Sequence, residues 1–109
     1  MMQTDLTGFT GTENYYQHWL KRGVYTDGVK YLAEKAGAYW LLDAIFSYHR
    51  SEPFQIWTLK VNDSHATLEM REDTGAPIKV RQEIEFTDFP LKEVKLYLID
   101  GVLLLPSEY

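Results

Sequence analysis

The feature that most constrains this chain is the change of apolar period at Pro53. Before it, residues 38 to 50 wind as a helix, with Ala38, Leu41, Leu42, Ala44, Ile45 and Tyr48 on one broad face. Asp43, Ser47 and Arg50 gather opposite, in a polar wedge roughly 60° wide. After Pro53 the period becomes two. In FQIWTLKVN, Trp57, Leu59 and Val61 share a face, and in HATLEMRE so do Ala66, Leu68 and Met70. A turn at Asp63-Ser64 sets Val61 against Ala66, Leu59 against Leu68 and Trp57 against Met70, so register and pattern agree. A helix before a run of short-turned strands defines an α+β chain: a two-layer domain in which an antiparallel meander of four to five strands is covered on one face by the helix at about 38–49.

A second helical stripe, Val29, Leu32, Ala33 and Ala36, precedes the first. On one straight helix it projects to the Asp43 side, half a turn out of phase. Gly37 stands between the two and is where the chain changes direction. Residues 29 to 36 read as a short helix or irregular turn; a strand over 29–33 with a hairpin turn at Asp27-Gly28 is the other solution. Residues 15 to 20, YYQHWL, fit a helical turn or a strand.

Beyond the turn Asp73–Pro77 lies IKVRQEIEF, with Ile78, Val80, Ile84 and Phe86 inward and Gln82 a polar exception among them. Lys60, Glu69, Arg71, Arg81, Glu83 and Glu85 form a charged outer face that reads as solvated. Asp100-Gly101 marks a last hairpin pairing Leu98 with Leu103. This hairpin is apolar on both sides: Tyr97, Ile99, Val102 and Leu104 alternate with the core-facing set. That second face needs a cover, either residues 9–24 (Phe9, Tyr15, Tyr16, Trp19 and Leu20 need burial themselves) or a second copy.

At 109 residues the chain is expected to be one domain, 1–109, with residues 1–11 a mobile arm and Thr10–Glu13 a cap or turn. No cysteine is present, which excludes disulfides and thiolate chemistry and fits a reducing, cytoplasmic compartment. No apolar run is long enough for a membrane span, and no signal peptide opens the chain. A net charge of −5 argues against direct nucleic-acid binding.

Catalytic motifs do not stand out. His18, His49 and His65 are scattered without metal-ligand spacing, so no metal is expected. No phosphate loop or nucleophile elbow implies a cofactor or a catalytic residue. Glu83 and Glu85 sit among cations on a solvated face. The grouping that stands apart is Tyr39, Trp40 and Asp43, aromatics beside a lone carboxylate, which fits a small pocket or contact patch. Its bland counterpart has both rings in the core and Asp43 bonded to Ser47 or Arg50.

The strings FTGTENYY, VYTDGVKYLAEKAGAYWLLDAI, TLKVND, EIEFTDFPL and LLPSEY resemble a small family of uncharacterised bacterial proteins, a domain of unknown function also met in phage and mobile-element genomes. The resemblance spans nearly the whole chain. It implies a complete domain and an accessory role, and carries no activity, cofactor or catalytic residue. The leading expectation is a small cytoplasmic non-enzymatic domain that binds another protein or itself. A small-ligand or enzymatic pocket at Tyr39, Trp40 and Asp43 is the alternative, and an acidic protein acting on a nucleic-acid-binding partner the third.

Overall fold

The computed structural model describes residues 14–48 and 51–109. The expected arm, the turn at Thr10–Glu13, Phe9, His49 and Arg50 lie outside the described residues. Among these residues seven strands form one sheet: β1 (Tyr15–Gln17), β2 (Val24–Thr26), β3 (Phe54–Asn62), β4 (His65–Arg71), β5 (Val80–Ile84), β6 (Glu93–Ile99) and β7 (Val102–Leu104), in the order β1-β2-β7-β6-β3-β4-β5. Two helices, α1 (Asp27–Ala36) and α2 (Tyr39–Ser47), pack on one face, and a 3₁₀ turn, Pro106–Glu108, ends the chain.

The α+β class holds, and the meander of four to five strands does not. β6 pairs with β3 rather than with its predecessor β5, and β2 joins β7 in parallel. The reason lies in the strands' faces. The hairpin end of β6 and β7, Leu96–Leu104, is apolar on both sides apart from its turn and lies inside the sheet, while charged β5 takes an edge.

Thr26 starts α1: its hydroxyl accepts the Val29 amide at 3.3 Å, so Asp27-Gly28 opens a helix and is not a hairpin turn. Gly37 ends α1 in the left-handed region, φ 61°, with the Ala38 amide donating to Ala33 O at 2.8 Å. The chain therefore restarts as α2 in a new phase. Val29, Leu32, Ala33 and Ala36 are buried on α1, and Leu41, Leu42, Ile45 and Phe46 on α2. Both apolar stripes thus meet one core, which a single straight helix cannot achieve.

The β3–β4 register is Val61 to Ala66, Leu59 to Leu68 and Trp57 to Met70, and β6–β7 pairs Leu98 with Leu103. Positive φ at Asp63, and at Asp100 and Gly101, closes the two turns. β5 is shorter than its pattern suggests. Val80 is buried, but Ile78 is 38% and Phe86 75% exposed, outside the strand's ends. Gln82, the inward exception, accepts the Tyr48 hydroxyl at 2.8 Å. The outer face is less wet than expected. Ile56, Thr58 and Glu69 are buried there, with the Glu69 carboxylate held by Lys60 at 3.2 Å and Arg71 at 3.5 Å.

The C-terminus clamps the start of α1. The Glu108 carboxylate accepts the Thr26 hydroxyl at 2.6 Å, the Gly28 amide at 3.2 Å and the Leu105 amide at 2.9 Å. A negative charge here also faces the positive end of the helix. Glu108→Ala is expected to cost about 1–3 kcal/mol, read by urea unfolding, because three donors lose their acceptor. An unchanged midpoint would show that the clamp contributes nothing.

Candidate functional site

The β1–β2 connection, residues 18–23, lays a histidine and a tryptophan against α2. It is a tight turn: the Lys21 amide donates to His18 O at 2.8 Å and the His18 amide to Gly23 O at 3.1 Å. Lys21 takes a positive φ of 59° to make it.

His18 is 3% exposed and stacks on Phe46, centroids 4.7 Å apart. Its Nδ1 accepts the Leu20 amide at 3.2 Å, so in this arrangement the ring proton sits on Nε2, which donates to Asp43 Oδ1 at 2.7 Å. The Trp19 indole N–H donates to the same oxygen at 2.7 Å. Asp43 is partly exposed, and Trp19 is 70% exposed. One carboxylate thus fixes a buried imidazole and an open indole.

The His18 ring is not free for proton transfer in this arrangement. The imidazole's only lone pair is occupied by a backbone amide, and its proton already has an acceptor, so no nitrogen is left to receive a substrate proton. Among the described residues no group of His, Cys, Asp or Glu is arranged to hold a metal ion. Among the same residues, no helix is long and apolar enough to cross a membrane.

Tyr39 and Asp43 lie one turn apart on α2. Tyr39 is 42% exposed, its hydroxyl 3.5 Å from Glu34; partial burial, then Tyr25 and Glu34, raise its phenol above the usual range. Trp40 is half-buried against the core. Asp43 turns to His18 and Trp19, not to either aromatic neighbour on its helix. Nor does Ser47 take it, since the Ser47 hydroxyl donates to Ala44 O at 2.6 Å. Beside this group Tyr16 donates to Asp27 at 2.9 Å, a bond that raises the Tyr16 phenol, and Lys30 sits 4.5 Å over the Tyr16 ring. The Arg22 guanidinium closes the α2 C-terminus on the carbonyls of Phe46 and Ser47, each at 3.2 Å.

The contribution of His18 and Trp19 was missed because they lie 25 and 24 residues from Asp43, beyond any periodic signal. The nearest clue was the His18-Trp19 pair inside the aromatic run YYQHWL.

Elsewhere, a groove of about 420 Å³ runs past Arg22, Tyr48, Glu52 and Gln55. The outer face of the β6–β7 hairpin lies under the C-terminus. Tyr97 packs on Phe54 at 5.3 Å and Tyr109 at 5.6 Å, Leu104 is buried, and Ile99 and Val102 are half-buried. Residues 14–26 extend the sheet beside β7 instead of lying over this face, and Tyr15 at 58% and Trp19 at 70% remain exposed.

A mixed seven-stranded sheet with a helical pair on one face and an orienting carboxylate beneath an open indole defines an α+β domain with a preformed aromatic surface. The chain belongs to a family of unknown function, DUF6876, which matches it over residues 1–109. No curated protein and no solved structure matches it.

Proposed function

We propose that residues 1–109 act as one small, non-enzymatic, cytoplasmic domain that binds a protein partner through the surface of Trp19, Tyr39, Trp40 and Asp43. The observation that carries this reading is Trp19. A tryptophan 70% exposed would ordinarily sample several rotamers, yet its indole N–H is tied to Asp43 at 2.7 Å. A large, oriented, solvent-facing aromatic is the residue type that dominates protein interfaces, and its low residual freedom lessens the entropic cost of docking. Tyr39 adds amphipathic contact area one turn away. The acid–base reading of the same cluster is weaker, because His18 has no free nitrogen. An accessory role in a bacterial or mobile-element setting follows from the family resemblance alone.

The test is affinity capture from source cells, followed by titration of the purified partner against Trp19→Ala. Affinity is expected to fall about tenfold or more, as for a hot-spot anchor. The thermal midpoint should stay near that of the parent, since the ring contributes little burial. A partner that binds Trp19→Ala and the parent chain equally would remove this surface from the reading.

A further inference from the structure

The sheet ends on β5, which among the described residues has β4 on one side and no strand on the other. The β3–β4 hairpin fixes which of its backbone groups face outward. Asn62 and His65 flank the two-residue turn as a hydrogen-bonded pair, so His65, Thr67, Glu69 and Arg71 bond to β3. Ala66, Leu68 and Met70 then bond to Ile84, Gln82 and Val80 on β5. Arg81 and Glu83 are left with their amides and carbonyls directed away from the sheet, a ready template for another strand. Their side chains are 61% and 66% exposed.

We propose that this edge pairs with the same edge of a second copy, antiparallel, about a two-fold axis at Gln82. The segment is self-complementary in that register. Arg81 faces Glu83 of the second copy, and Glu83 faces its Arg81. On the helix side Val80 faces Ile84. The outward backbone groups of Arg81 and Glu83 meet each other as hydrogen-bonded pairs.

Neighbouring registers fail. A one-residue slip sets outward-facing backbone against inward-facing backbone. A two-residue slip sets Arg81 against Arg81 in one direction and Glu83 against Glu83 in the other, and like charges directly opposite are unfavourable. Charges on an edge strand usually prevent pairing, but here their order along the strand matches its own reverse. The interface lies at the far end of the sheet from β1 and Trp19, so a dimer carries two partner-binding surfaces, one at each end. It stands independently of the function proposed above.

Sedimentation velocity or light scattering on the full chain, through the micromolar range and upward, is the test. The parent chain is expected to dimerise. Arg81→Glu and Glu83→Arg should each weaken the dimer about tenfold or more, because each replaces two attractive cross-strand pairs by two repulsive ones. The double variant Arg81→Glu/Glu83→Arg should restore it, which a folding defect would not do. Gln82→Cys adds a second readout. The chain has no other cysteine, and the central pair is a non-hydrogen-bonded one, with Cα atoms about 4.5 Å apart, within reach of a disulfide. Mild oxidation should give a covalent dimer on a non-reducing gel. A monomer throughout, a dimer indifferent to both charge inversions, or a dimer broken by Val102→Asp with β5 variants neutral would overturn the proposal.

Discussion

Trp57→Ala is expected to lower the unfolding free energy by about 3–5 kcal/mol, the range for deleting a buried large aromatic. Trp57 is 1% exposed at the centre of β3, paired with Met70 on one side and Leu96 on the other. Its ring packs at a tilt against Tyr48 with centroids 5.5 Å apart, and Tyr48 in turn bonds Gln82 on β5. The substitution therefore opens a cavity where α2, β3 and β5 are linked. It also removes the donor that holds Gln55: the indole N–H bonds Gln55 Oε1 at 2.9 Å, and Gln55 is 3% exposed. An orphaned buried amide oxygen adds its own desolvation cost. Trp57→Phe keeps most of the volume and loses the bond, so its smaller loss isolates the polar contribution. Equilibrium urea unfolding followed by far-UV dichroism reads both. A loss below about 1 kcal/mol for the alanine variant would mean that the site collapses around the gap, contrary to the packing described.

The same region shows why part of this fold can be read from sequence. Around β3 and β4 each residue has a neighbour two positions away on the same face, so seven to nine consecutive residues report the register repeatedly. Gly37 was legible for a related reason. Two apolar stripes out of phase leave one geometric solution, a break, and glycine at φ 61° makes it cheaply. β1 and β2 were not legible. Strands of three residues carry too few positions to show a period, and Tyr15, Tyr16 and Trp19 read as an aromatic run in need of burial when two of the three are open to solvent. Glu69 misled in the opposite sense. Its alternation put it correctly on the outer face, but its neutralisation by Lys60 and Arg71 lets it be buried there, a consequence of side-chain reach and not of pattern.

The candidate site follows the same division. Asp43 could be singled out because it is a lone carboxylate on a mostly apolar helix. Its partners could not, because the chain between His18 and Asp43 includes β2, the whole of α1 and the break at Gly37. Only after β2 docks on β7 and α1 covers the sheet does the 18–23 turn come within bonding distance of α2. The surface around Trp19 is therefore as dependable as the β2–β7 join that positions it.

That join makes Gly23→Ala the second large effect. A methyl at residue 23 would stand 2.5 Å from the Gly101 carbonyl oxygen and 2.6 Å from the Phe46 ring. Neither neighbour yields cheaply. The Gly101 oxygen is backbone in the β6–β7 turn and accepts the Val24 amide at 2.9 Å, the first bond of the parallel pairing, while Phe46 is 3% exposed under the His18 ring. Relief requires β2 to move off β7 or the α2 end to lift, and overpacking of this kind costs about 1–3 kcal/mol or more. The two possibilities are separable. Displacement of β2 frees His18 and Trp19 from Asp43, so the Trp19 indole N–H resonance should shift and its fluorescence should red-shift while the hairpin β3–β4 stays protected from hydrogen exchange. Global loss of protection would instead place the β2–β7 join within the cooperative core. Parent-like stability together with an unshifted indole resonance would show that residue 23 has room for a side chain, and that the close approach of β2 to the Gly101 turn is not what sets the site.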